Sequence, residues 1–497
     1  MASWREKLKF TAVAGAGFFT DGYINLTIGL VVPVLGYLYF EDEKGKVPHA
    51  DSDIMKGSLS LGMIVGQVGL GLLGDAWGRR AIYGKELMIT LFGTLMVVLL
   101  PWNGLSPQAI TAWVSVFRVV AGVGIGADYP LSSVLSAEKS PLGSRAIQVL
   151  AVFSFIGLGN YVSSIVFIIL LSAFKSAVFN NIRALEWVWR LQLGLGMIPA
   201  ALTLYARLTM PETKPYRQYV AGQEGADSNR TVRQQLRDFR EYFGKWQNFK
   251  VLFATSAAWF LFDIAYYGIN LNQSVILTKI GYAKGPNAWT ILWNIAVGNI
   301  IIQSAGYLPG FYIGIPLADS LGRIRQQLYT SAAVSILYAI WAGISVPSAH
   351  TSTAGLMVMF GLSQLVVCMG PNCTTFLLPC EVFPTRVRGT AHGISAAVGK
   401  SRAVLTAFAF GTVTQKIGLP GVLGLFSAIM ALTAAVTLMI PEPGGKSLAD
   451  IESGLRYGPI SALFMRSRLR KGDPSGLSAT ESATDGDLDK DIVKTKT

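Results

Sequence analysis

The chain has 497 residues, 51% of them hydrophobic and 14% charged, with a mean hydropathy of +0.44, whereas a soluble domain carries roughly 25% charge. A string of soluble domains is excluded, and a polytopic membrane protein is expected. The net charge of +13 does not point to nucleic acid, because Lys and Arg gather in alternate loops and form no basic stripe interleaved with stacking aromatics.

The N-terminus, Met1 to Lys9, is short and basic and lacks a small-residue cleavage site. The apolar run behind it reaches toward Phe40, too long for a signal h-region, and reads as a first span. Runs of spanning length fall at about 12–38, 56–75, 81–101, 110–134, 146–172 and 187–208. A polar stretch follows, and a second set falls at about 251–277, 289–317, 326–346, 353–379, 391–414 and 419–440. The expected architecture is an all-α membrane protein of twelve transmembrane helices. It divides into an N-terminal bundle at 1–208, a linker at 209–248, a C-terminal bundle at 249–440 and a tail at 441–497. The tail turns to Ser, Gly, Asp and Lys and is expected to be disordered.

Basic residues occupy the N-terminus (Arg5, Lys7, Lys9), loop 2–3 (Arg79, Arg80, Lys85), the linker, loop 8–9 (Arg323, Arg325), loop 10–11 (Arg386, Arg388) and the tail (Arg466, Arg468, Arg470). The opposite loops are acidic or nearly neutral: Glu41 to Glu43 with Asp51 and Asp53, Pro101–Gln108 and Pro347–Thr353. Both termini are therefore expected in the cytoplasm. The linker sequon Asn229-Arg-Thr231 would then escape glycosylation. Cys368, Cys373 and Cys380 fall in or beside one apolar run, so neither a disulfide framework nor a zinc site is expected.

The two halves repeat. Asp75-x-x-Gly78-Arg79-Arg80 recurs as Asp319-x-x-Gly322-Arg323-x-Arg325, an offset of 244 (319 − 75). Asp21 matches Asp263 at 242 (263 − 21), Asp128 matches Asn372 at 244 (372 − 128), and Glu138 matches Glu381 at 243 (381 − 138). Duplicated halves with polar groups at matching depths suit alternating access about a midplane site.

Within the seventh span, Trp259, Asp263 and Tyr267 are spaced i, i+4, i+8 and share one helix stripe. A carboxylate at that depth costs at least ~2.5–3.5 kcal/mol and reads as functional. Lys400, about nine residues into span 11, lies ~13 Å along its helix, where it attracts an anion or pairs with a midplane Asp. Arg402 sits about 200° around that helix from Lys400, so the two are not expected to line one narrow pathway. Three histidines, His49, His350 and His392, offer no nucleophile arrangement. Gly444-Gly-Lys-Ser447 lacks the spacing of an ATP-binding loop. Neither an enzyme nor an ATP-driven pump is expected.

The duplicated Asp-x-x-Gly-Arg loop resembles the signature of the major facilitator superfamily. Arg118-x-x-x-Gly122-x-Gly124, Pro211-Glu-Thr and Pro441-Glu-Pro fit the same family. The resemblance implies two pseudo-symmetric six-helix bundles. It implies a gating set of Asp75, Gly78, Arg79, Asp319, Gly322, Arg323, Glu138, Arg145, Glu381 and Arg386, in which the loop acid pairs with the neighbouring half and holds the outward-facing state. Four further phrases, Gly126-Ala-Asp128-Tyr129-Pro-Leu-Ser-Ser133, Trp259 to Tyr267, Gly370-Pro-Asn372-x-Thr-Thr-Phe376 and Ala391 to Lys400, resemble the fungal and plant phosphate:proton symporters. That resemblance covers about residues 10–455.

It implies that Tyr129, Trp259, Asp263, Tyr267, Asn372 and Lys400 contact the substrate. Asp21, Asp128 and Asp263 would carry the proton. Hydroxyl, indole and amide donors suit a phosphate without holding it too tightly. Asp263 cannot sit ionised beside an anion in a low dielectric, so loading favours the protonated acid. The chain departs from the pattern at Ile24, where those symporters place a second acid, and at Ala151 to Ile156, where they place a Gln. Asp21-Gly-Tyr23-x-Asn25 looks more like fungal permeases for glycerophosphoinositol and glycerophosphocholine. The expected function is a proton-coupled importer of inorganic phosphate in the plasma membrane. A proton symporter for glycerophosphodiesters or another organic anion stays open beside it, as does a phosphate sensor without transport. No cofactor is expected, the proton gradient being the driving force, and the partners are the phosphorus-containing anion, the proton and the bilayer.

Overall fold

The computed structural model describes residues 4–40, 45–102, 104–220 and 231–452, with backbone alone at 4, 403–412, 415 and 448. The acidic group Glu41 to Glu43, Asn229 of the sequon and the tail from 453, with Arg466, Arg468 and Arg470, lie outside the described residues.

Among the described residues, eleven helices are long and apolar enough to cross a membrane. They are α1 (Arg5–Tyr39), α2 (His49–Trp77), α3 (Arg79–Val98), α4 (Pro107–Lys139), α5 (Leu142–Ala173), α6 (Ile182–Leu208), α7 (Trp246–Asn270), α8 (Ala288–Leu321), α9 (Arg323–Ile344) and α10 (Thr353–Val382), with a last one at Lys416–Thr437. The last belongs to a helical stretch, Arg388–Thr437, that breaks at Gly418 (φ 68°). The break yields α11 (388–417) and α12 (419–437), and the count of twelve matches the reading from hydropathy. Large apolar side chains face outward, Leu202 being 78% exposed, as lipid allows and water would not.

Gly78 and Gly322 open α3 and α9 at φ 97° and 94°, values that a side chain rarely tolerates. Each is followed by the same contact from a distant acid of its own half. The amide of Arg80 donates to Glu212 at 3.0 Å, and the amide of Ile324 donates to Glu442 at 3.0 Å. The duplication read in the loop is thus a duplication of backbone geometry.

Two spans are interrupted where they pass the centre. α8 carries a π-turn at Gln303–Tyr307. α10 breaks at Gly370 before Pro371, which cannot donate to the preceding turn. The linker is not a plain polar strap. It holds the helix Val232–Phe243, started by a capping box in which Thr231 and Gln234 satisfy each other's backbone amides.

Candidate functional site

At the centre of the molecule α7 meets α11. The contact is close because residue 399 is Gly: a Cβ there would stand 2.7 Å from Trp259 Cδ1 and 3.2 Å from Asp263 Oδ2. Asp263 is buried at 1% exposure, and two cations converge on its Oδ2, Lys400 Nζ at 3.7 Å and Arg402 Nη2 at 3.7 Å. Both separations exceed hydrogen-bond length, so the attraction is coulombic. Lys400 donates to the Tyr267 hydroxyl and lies over the Tyr129 ring, 5.1 Å from its centroid. Arg402 packs at 5.5 Å from the Tyr267 centroid.

The expectation that Lys400 and Arg402 could not serve one pathway is corrected. Measured from Gly399, the two project at about +100° and −60° on the helix. They flank the residue that faces Asp263, and their length brings both back to one carboxylate.

Opposite this cluster, Asp21 of α1 accepts a 2.7 Å hydrogen bond from the Tyr129 hydroxyl. Asp21, Tyr129, Trp259, Asp263, Tyr267 and Lys400 are all buried. One turn toward the basic face lies a layer of rings drawn from both halves. Phe153 of α5 stacks on Phe376 of α10 at 4.1 Å and 11°. Phe18, Tyr129, Trp259 and His392 pack edge-on to Phe376. Asn372, carried by the α10 break, donates to Cys368 Sγ at 3.6 Å and touches none of the acids.

Asp128 is placed elsewhere, inside the first bundle. Its Oδ1 accepts from Arg207 Nη1 at 2.8 Å and from Ser132 Oγ at 2.5 Å, and the same guanidinium reaches Glu86 Oε1 at 3.1 Å. Glu86 and Arg207 escaped the sequence reading. The signal was a charge inside each apolar run, close enough to a span end to pass for topology. Arg118, also buried, donates from Nε to the Met55 carbonyl at 3.1 Å and from Nη1 to the Ile24 carbonyl at 3.5 Å. Among the described residues it has no ion-pair partner.

Of the gating set, Asp75 reaches the other half. It accepts from the amides of Gly389 at 3.1 Å and Thr390 at 2.6 Å, so an acid of the first bundle caps the start of α11. Arg79 ties Asp75 at 3.1 Å to Glu138 at 3.2 Å and donates to the Thr385 carbonyl at 3.0 Å. The basic partner across the seam is Arg388, 3.3 Å from Glu138. Arg386 does not join: its side chain lies over the Tyr242 ring. Arg145 crosses the seam to the Lys446 carbonyl, donating at 3.2 Å. Asp319, Arg323 and Glu381 pair among themselves, at 2.8 and 2.9 Å, inside their own half. At the opposite face Lys56 Nζ donates to Asn272 Oδ1 at 3.2 Å and Ser274 Oγ to the Gly29 carbonyl at 2.8 Å. Contacts between the halves therefore close the central cluster from both faces.

Paired six-helix bundles that seal a buried charge cluster between them define a membrane transporter of the major facilitator type. The family model described as sugar (and other) transporter matches residues 9–455, and the chain belongs to that family. It is 33% identical to the repressible high-affinity phosphate permease of Neurospora crassa, over 89% of this chain and 86% of the relative. It is 32% identical to the inorganic phosphate transporter PHO84 of Saccharomyces cerevisiae, over 96% and 89%. A similar solved structure is the proton:xylose symporter XylE bound to 6-bromo-6-deoxy-D-glucose. The TM-score is 0.72 at 18% identity, covering 90% of this chain and 98% of that one, which speaks to fold alone.

Proposed function

We propose that the chain imports inorganic phosphate together with protons by alternating access, with its basic face in the cytoplasm and its home in the plasma membrane. The observation that carries this is the convergence of Lys400 and Arg402 on Asp263 in a buried seam. With Asp21 included, two acids face two cations and the cluster is neutral. A phosphate monoanion entering it leaves one unbalanced negative charge, which a low dielectric penalises. A proton taken up by Asp263 restores neutrality and frees both cations to turn from the carboxylate to the phosphate. Tyr129, Trp259 and Tyr267 add uncharged donors, and Asn372 joins from the α10 break. Asp21 passes the proton onward. Asp128, held by Arg207, adjusts the field from behind Tyr129.

The Asp75 cap on α11 and the Phe153–Phe376 stack part when the basic face opens, and the Lys56–Asn272 contact parts when the other face opens. No resident cofactor has a part in this scheme. Uptake of labelled phosphate by cells expressing the chain should collapse with a protonophore and at alkaline pH. Uptake indifferent to both would remove proton coupling.

A further inference from the structure

On the basic face the linker helix Val232–Phe243 turns Gln235, Phe239 and Phe243 inward, with Gln235 donating to the Arg386 carbonyl at 2.8 Å. Its outward stripe is Arg233, Leu236, Arg237 and Arg240, spaced i, i+3, i+4, i+7 and all exposed. Leu236 is 51% exposed in the midst of these charges. Gly244 and Lys245 alone separate the helix from Trp246, the first residue of α7, which is 71% exposed. Phe249 and Phe253 continue the exposed face of that span, so it is directed at lipid, and its Trp marks the headgroup level. A two-residue connection holds the end of the linker helix within roughly 11 Å of that level. Lys245 and Lys250, both exposed, flank the indole. Arg237 is balanced by Glu241 at 2.8 Å, while Arg233, Arg240, Lys245 and Lys250 face outward.

We infer that this surface binds the headgroups of anionic phospholipids. The basic side chains take the phosphates, and Leu236 and Trp246 enter the acyl boundary, as a basic amphipathic segment beside a span does. The lipid would anchor the linker, whose Tyr242 and Gln235 hold the loop around Arg386.

The test uses the whole chain carrying L236C, labelled with an environment-sensitive fluorophore. The native Cys368, Cys373 and Cys380 are buried and leave residue 236 as the reactive thiol. The labelled protein is reconstituted in phosphatidylcholine vesicles with and without phosphatidylserine. A blue shift and protection from iodide quenching are expected with phosphatidylserine only, unaffected by inorganic phosphate in the buffer. R233Q/R240Q/K245Q should weaken the phosphatidylserine response roughly tenfold or more while phosphate uptake in phosphatidylcholine vesicles stays at the parent level. The same shift in both vesicles, its reversal by inorganic phosphate, or its survival in the triple variant would overturn the inference.

Discussion

Phe153 and Phe376 stack face to face at 4.1 Å across the seam between the two halves, one turn on the basic side of Asp263. In the proposed orientation the stack lies on the cytoplasmic side of the buried charge cluster and acts as its gate. Its removal leaves a gap that neighbouring rings fill only in part. Phe376→Ala should cost about 3–5 kcal/mol of stability and let preloaded phosphate leave vesicles without a proton gradient. Phe376→Leu should restore the seal. An alanine variant with efflux as slow as the parent would count against this gate.

The Asp75 cap predicts a second effect. Asp75→Ala strips α11 of its acceptor and leaves Arg79 with one acid fewer. A loss of about 1–2 kcal/mol from the closed state moves its population by a factor of roughly 5–30. Spin labels at the exposed positions 80 and 386, one in each half, should report a longer distance in Asp75→Ala. An unchanged distribution would show that the cap does not hold the basic face shut.

Arg118 donates to the carbonyl of Ile24, the position at which the phosphate-symporter resemblance leads one to expect a second acid. A buried cation without a counter-ion is costly. Ile24→Asp should raise the melting temperature, and the gain should vanish in the Arg118→Gln background. The coupling energy is expected at about 1–3 kcal/mol, read from a double-mutant cycle. Additive effects would mean that the acid does not reach the guanidinium.

Gly399 permits the close approach of α7 and α11. Gly399→Ala drives a methyl into Trp259 and should cost about 1–3 kcal/mol. It should spread Lys400 and Arg402 from Asp263 and suppress uptake while the protein still reaches the membrane. Full uptake would separate the close approach from function.

Much of this could be read from the chain because the bilayer simplifies the code: twelve apolar runs and an acid in the middle of one of them need no tertiary knowledge. Asp263 and Lys400 stood out because a charge at that depth is costly and therefore rare. Arg402 was misjudged because helix angles treat side chains as radial, whereas a guanidinium on a long stem reaches back around Gly399. Glu86 and Arg207 were hidden by their nearness to span ends. The π-turn at Gln303–Tyr307 left little trace, since a run apolar on every side has no periodicity to interrupt, whereas Gly370-Pro371 carried a breaker signal that the run's hydropathy overrode. The linker helix did announce itself, through Thr231 and Gln234, but in a segment whose polarity drew attention away.

The loading step is tested most directly by initial uptake of labelled phosphate in vesicles, with and without an inward proton gradient, for the parent and Asp263→Asn. The parent should accelerate steeply with the gradient. The variant, holding an amide that neither binds nor releases the proton, should transport about 100-fold more slowly and ignore the gradient. A variant whose uptake still rises with the gradient as the parent's does would contradict the assignment of the proton to Asp263.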